Sequence, residues 1–187
     1  MGCGAGIVSE ALARIGASVT AIDACAENIE AAKIHSELDP SLASNLQYIC
    51  TTVEEHIEVV NDEYDAIVAS EVIEHVDNPQ MFVRKCSQIL KLEGSFFLTT
   101  INRSTRSWLL AIIGAEYVLG LLPKGTHQWD KFLTPAELGE MLGQGGCQTR
   151  LVHGMMYLPG LNKWSWVPDS SVNYALHAVK KQIEDGN

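Results

Sequence analysis

Three glycines stand at alternating positions near the start of the chain, in Met1-Gly2-Cys3-Gly4-Ala5-Gly6, and an acid, Asp23, follows the hydrophobic run Ser18-Val19-Thr20-Ala21-Ile22. Glycines so spaced let the backbone approach a ligand closely and take dihedrals that a side chain forbids. A helix beginning directly after them, over about Ile7 to Ile15, points free N–H groups and the positive end of its dipole at whatever is bound. An acid at the tip of the following strand can accept the two hydroxyls of a ribose. Together these residues point to a nucleoside cofactor; the plainer alternative is a glycine turn joining two elements. The loop is GxGxG, not GxGxxG, and alone it does not choose between S-adenosylmethionine and NAD. Only NAD requires a pyrophosphate on the helix, and no second mononucleotide half follows here.

A second group is Glu71, Glu74 and His75 in Ser70-Glu71-Val72-Ile73-Glu74-His75-Val76. On a helical turn, spacings of i, i+3 and i+4 bring three side chains to one face. Two carboxylates and an imidazole could hold a divalent ion and leave positions open for substrate oxygens. His75 alone could act as a base near neutral pH. The simpler alternative is a solvated helix start with acids near the positive dipole end.

These residues need a scaffold, and the totals bound it. A chain of 187 residues with 47% apolar content can bury one substantial core, so residues 1–187 read as a single domain. Thirteen basic against 23 acidic residues give a net charge of -10, which argues against a phosphate backbone as partner. Five scattered cysteines without CxxC spacing suggest neither a disulfide framework nor a zinc site, and fit a reducing compartment. A glycine loop of this kind sits on the end of a strand, and Met1 stands where that strand should finish. The expectation is an N-terminally truncated chain that lacks the first, central strand of its sheet.

Strand and helix patterns alternate from there. Ile7, Ala11, Leu12 and Ile15 predict one buried helical face, ended by Gly16. Residues 18 to 22 predict a buried strand, about Ala26 to Leu38 a helix stopped by Asp39-Pro40, and Leu46 to Cys50 a short strand. Val53-Glu54 could flank an adenine, or Thr52 and Glu55 could form a capping box that starts a helix. Tyr64 to Ser70 predicts a strand; Pro79 opens a helix with Phe82, Val83, Cys86, Ile89 and Leu90 inward; Glu93-Gly94 turns into a strand from Ser95 to Ile101. The rhythm implies a mostly parallel sheet with helices on both faces.

Residues 102–134 break that rhythm. Trp108 to Leu122 is apolar on every side with Glu116 as its only charge, flanked by Arg103, Arg106 and Lys124. It is too short to cross a bilayer, which takes roughly 20 apolar residues. It reads either as an inserted core helix or as a segment lying in a membrane interface or against a greasy substrate. A helix from Pro135 to Leu142, a strand from Cys147 to His153, an aromatic loop with Trp164 and Trp166, and a last strand from Val172 to Val179 complete the chain. The last two strands predict a hairpin, the final strand antiparallel. His127 and His153 are further base or substrate-contact candidates, each weighed against a structural role.

Beyond these separate signals, the sequence resembles the ubiquinone-biosynthesis O-methyltransferases, within the class I S-adenosylmethionine-dependent methyltransferases. The resemblance covers nearly the whole chain. The glycine loop, Asp23, Thr52 to His56, Ser70 to Val76 and Leu90 to Gly94 belong to it. So, above all, do Thr100-Ile101-Asn102-Arg103, Trp108, Gly114-Ala115-Glu116-Tyr117, Pro123-Lys124-Gly125-Thr126-His127 and Val172-Asn173-Tyr174, of which the Gly-Ala-Glu-Tyr and Lys-Gly-Thr-His stretch narrows it to this family. It implies a Rossmann-like α/β fold and methyl transfer from S-adenosylmethionine to a phenolic oxygen of a polyprenylated catechol-type ring. By position it places Gly2, Gly4, Asp23 and Ser70 on the cofactor. It assigns Glu71, Glu74 and His75 to a divalent metal, usually magnesium, and makes residues 108–122 a membrane-associating segment. It implies other ubiquinone-biosynthesis proteins as partners, and in a eukaryote a peripheral place on the matrix side of the mitochondrial inner membrane. The family's acid two residues before the first glycine has no counterpart here, nor does an upstream arginine. His75 and His127 remain the catalytic candidates. Another small-molecule methyltransferase, or a non-catalytic component of a biosynthetic assembly, is the alternative.

Overall fold

The computed structural model describes residues 1–60, 63–104, 131–158 and 161–182. The chain divides into two compact units, Met1–Asp62 and Glu63–Asn187, and its strands into two hydrogen-bonded sheets.

In the first unit, α1 (Ile7–Arg14) leads to β1 (Val19–Asp23), α2 (Ala26–Ser36), a 3-10 turn at Pro40–Ser44, β2 (Leu46–Cys50) and α3 (Val53–Val59). β1 and β2 pair in parallel, Val19 opposite Leu46 and Asp23 opposite Cys50. Ala21, Ile29, Ala32 and Tyr48 form the core, with Cys3, Val19 and Leu46 against it. Thr52 caps α3 through a reciprocal capping box with Glu55, the helix start that the sequence offered as one of two readings.

The face of α1 differs from the periodicity. Ser9, Glu10 and Ala13 are buried, while Ile7 is 78% and Ile15 80% exposed. Glu10 decides this orientation: its carboxylate accepts from Arg14 at 2.8 Å and meets His35 Nδ1 at 2.6 Å, and Arg14 also donates to Asp39 at 2.9 Å. A buried carboxylate must be satisfied wherever its partners stand.

In the second unit, β3 (Tyr64–Ser70), α4 (Pro79–Gln88) and β4 (Leu90–Ile101) precede α5 (Pro135–Gln144), β5 (Cys147–Leu158), β6 (Lys163–Val167) and β7 (Asn173–Lys180). The sheet order is β3-β4-β7-β5-β6. β3 and β4 are parallel, and every later pairing is antiparallel, so the sheet is mixed and the last strand runs antiparallel as expected. On one face Phe96, Leu98, Thr100, Tyr174, Leu176 and Ala178 are all buried, the period-two pattern of a half-covered sheet. The opposite face is more open, with Phe97 41% exposed and stacked on His177, ring centroids 4.6 Å apart.

Two expectations change here. The Glu93-Gly94 turn lies inside β4 rather than before it: Glu93 takes φ 60, and the β3–β4 register shifts between Tyr64 and Ala66. The aromatic loop is a strand, β6, paired with an extended β5 through Met155 opposite Trp166 and Tyr157 opposite Trp164. At its base Gly154 is obligatory, since a Cβ there would lie 1.9 Å from the Asp169 carbonyl oxygen. Residues 105–130, with Trp108 to Leu122 and His127, lie outside the described residues.

Candidate functional site

Gly2, Gly4 and Gly6 all occupy the left-handed region, at φ 63, 50 and 88, where a β-carbon is unfavourable. The loop is tied to the end of β1 twice: Cys3 N donates to the Ile22 carbonyl at 2.9 Å, and Gly4 N to Asp23 Oδ2 at 2.8 Å. Asp23 Oδ1 accepts from Cys25 N at 3.0 Å and Asn28 Nδ2 at 3.1 Å. The carboxylate is therefore held from three sides and only part-buried, with acceptor capacity left on a group that can take about four hydrogen bonds. Sequence reading missed Asn28, whose signal is its place one turn into the helix after the acid.

Space inside the loop is set by one contact. A Cβ on Gly6 would sit 2.2 Å from Tyr48 Oη, whereas one on Gly4 would meet nothing within 4 Å. Gly6 is required by packing; Gly4 keeps an open surface free of a side chain. Burial, with Asp23 nearby, pushes the Cys3 thiol up to about 11, so it stays protonated at neutral pH and is no nucleophile. Tyr48 is likewise pushed up to about 12, first by burial and then by Glu10.

In the second unit, Ser70 ends β3. Its hydroxyl lies 2.8 Å from Thr99 Oγ1, and Thr99 Oγ1 donates to Glu71 Oε1 at 2.8 Å. With its proton used there, Thr99 accepts from Ser70. Glu71 N donates to the Thr99 carbonyl at 2.9 Å, and Thr100 Oγ1 donates to Glu74 Oε2 at 2.8 Å. Burial raises the Glu74 carboxyl above its ordinary value despite hydrogen bonds from its backbone, Thr100 and Glu71. Two hydrogen-bonded carboxyls at one place favour keeping a proton between them. Thr99 was also missed, and Thr100 was read only as part of the family resemblance; polar side chains at the carboxyl end of an apolar strand were the available signal.

The geometry bears on the argument from helical spacing and leaves the expected metal set, Glu71, Glu74 and His75, as an expectation. Glu71 takes φ 54 and the residues after it form bends and turns, not a helix, so the i, i+3, i+4 argument fails. Glu74 is buried while His75 is exposed. Among the described residues no group of three or more His, Cys, Asp or Glu is arranged to hold a metal ion. His153, the other described candidate, stacks on Trp166 with centroids 6.0 Å apart.

Comparison with known proteins bears on these two clusters. A methyltransferase-domain family matches residues 1–98. The mitochondrial ubiquinone biosynthesis O-methyltransferase of Rattus norvegicus is 43% identical over 185 residues, 99% of this chain and 54% of that protein. The ubiquinone biosynthesis O-methyltransferase of Shigella flexneri is 42% identical over 183 residues, 97% of this chain and 74% of that protein. The chain thus spans about half the length of its mitochondrial relatives. Among solved structures, the magnesium protoporphyrin IX methyltransferase of Synechocystis with bound SAH superposes with a TM-score of 0.70, at 18% identity, over 96% of this chain and 72% of that one. This likeness establishes the class I methyltransferase fold.

Proposed function

Since the chain belongs to the ubiquinone biosynthesis O-methyltransferase family, we propose that it acts, as one methyltransferase domain, in methyl transfer from S-adenosylmethionine to a phenolic oxygen of a polyprenylated catechol-type ring. The observation that carries the reading is the glycine loop clamped to Asp23, with Gly4 N on Oδ2 at 2.8 Å.

In this reading Gly2 and Gly4 let the backbone reach the methionine end of the cofactor, and the remaining acceptor site of Asp23, on Oδ2, takes a ribose hydroxyl. Ser70 lies along the cofactor, its hydroxyl aimed by Thr99. The bound cofactor supplies a methyl group already activated by a positive sulfur, so the chain's own work is alignment and exclusion of water. Placement of the attacking oxygen can account for a large share of the acceleration. The phenolic proton goes to a base, for which His75 and His127 are the candidates. Glu71, Glu74 and His75 are the residues that would hold a divalent ion, which when bound would stabilise negative charge on the phenolic oxygen.

Relatives come from mitochondria and from bacteria. The corresponding site is a peripheral one on the inner membrane, matrix side, in a eukaryotic cell, next to the other proteins of the pathway.

The test is transfer of labelled methyl from S-adenosylmethionine to a short-chain prenylated catechol. Wild type should label the phenolic oxygen and Asp23→Asn should lose at least about ten-fold at low cofactor concentration. A chain that binds cofactor but labels no catechol refutes the substrate assignment.

A further inference from the structure

Asp23 has fewer free acceptor positions than a ribose has hydroxyls to place. A carboxylate takes about four hydrogen bonds, two on each oxygen. Cys25 N at 3.0 Å and Asn28 Nδ2 at 3.1 Å fill Oδ1, and Gly4 N at 2.8 Å takes one position on Oδ2. One position remains, so the second hydroxyl of the pair needs another partner.

Asn28 is the group placed to supply it. It stands in the first turn of α2, half-buried. Asparagine is not a favoured residue inside a helix, and this one does not cap α2, whose N-cap Cys25 makes no side-chain cap bond. Its only hydrogen bond among the described residues is the one to Asp23. An ionised carboxylate accepts and never donates, so the carboxamide nitrogen must be the atom that faces Asp23. The carboxamide oxygen, on the same planar group, is then an acceptor beside Oδ2 that no described residue uses. We propose that Asn28 is a specificity-determining residue for the cofactor's ribose: Asp23 Oδ2 accepts from one hydroxyl and Asn28 Oδ1 from the other. The inference rests on the reading of Asp23 as the ribose acid. It makes the pair, and not the acid alone, the device that tells a ribose from a deoxyribose, because a site built to pair a hydroxyl is left with a bare acceptor when that hydroxyl is missing.

The test is calorimetry of the full chain with S-adenosylhomocysteine and with its 2′-deoxy and 3′-deoxy analogues. Wild type should bind each analogue about ten-fold more weakly than the parent. Asn28→Ala should bind the parent about five-fold more weakly than wild type does, and one of the two analogues as tightly as the parent, while the other analogue keeps its penalty. Alanine suits a helix, so the thermal midpoint of the variant should match that of wild type; Asn28→Ser, whose side chain is polar but too short to reach, should give the same pattern. If both penalties persist in the variants, Asn28 does not touch the ribose. If both disappear together, Asn28 acts only by bracing Asp23. Either result overturns the inference and leaves Asp23 in its role. If wild type shows no penalty for either analogue, or does not bind S-adenosylhomocysteine, the reading of Asp23 as the ribose acid fails and this inference with it.

Discussion

Gly4 N donates to Asp23 Oδ2 at 2.8 Å across nineteen positions of sequence, so one hydrogen bond fixes the acid against the loop that would share its ligand. Gly4 has φ +50 but open space around an added Cβ. Gly4→Ala should therefore cost about 1 kcal/mol of stability, from the left-handed backbone alone. Its affinity for S-adenosylmethionine should fall by about ten-fold or more, because the methyl group occupies the surface that the cofactor approaches. Denaturant midpoints and calorimetry read the two effects separately.

Gly6 should behave differently. A Cβ there meets Tyr48 Oη at 2.2 Å and Cζ at 2.9 Å, so Gly6→Ala combines overpacking with an unfavourable φ and should destabilise by about 2 to 4 kcal/mol. Tyr48→Phe in the same chain removes the nearer clash but not the ring carbon, and should restore part of the loss. Urea midpoints of the single and double variants measure this; equal midpoints for Gly6→Ala and wild type would exclude the packing role.

Two buried acids should give pH dependences of opposite sign. Burial alone would raise Glu10, but hydrogen bonds from His35 and Arg14 outweigh it and hold the carboxyl below 4.5. Its contribution is present above that value and is lost as pH falls through the folded one. Glu10→Gln should thus be destabilised near neutrality, by about 1 to 2 kcal/mol, and converge on wild type in acid. Glu74 is raised above 4.5, chiefly by burial, so wild type loses stability as pH rises from 4.5 through the folded value. Glu74→Gln keeps the Thr100 hydrogen bond and should flatten that loss. Thermal midpoints in metal-free buffer between pH 3.5 and 8 check both signs.

A single hydroxyl joins β7 to the segment before α5: Tyr174 Oη donates to the Leu133 carbonyl at 3.0 Å from a fully buried position. Tyr174→Phe leaves that carbonyl unpaired and should cost about 1 to 2 kcal/mol. A change below a few tenths would show that the carbonyl finds another donor.

Local signals in the sequence located most of the fold. Leu46 to Cys50 and Tyr64 to Ser70 form strands with the bounds read from their apolar runs. Thr52 and Glu55 form their capping box, and Phe82, Val83, Cys86, Ile89 and Leu90 are all buried. The glycine loop and Asp23 were equally legible, because spacing and residue type are local. What was illegible depends on distant partners. β6 exists because β5 runs on to Leu158 and offers it a ladder. The face of α1 is turned by Glu10 through His35, 25 residues away. Glu71 leaves helical geometry, which no spacing rule reveals, and so the helical turn expected for Glu71, Glu74 and His75 does not form.

The most direct measurement is isothermal calorimetry of the full chain with S-adenosylmethionine, for wild type and Asp23→Asn. The account expects one saturable site per chain in wild type and an affinity at least about ten-fold weaker in Asp23→Asn, which removes the charge and leaves either Gly4 N or Cys25 N and Asn28 facing an NH2 in place of an acceptor. Equal affinities in the two proteins, or binding that does not saturate in wild type, would contradict it.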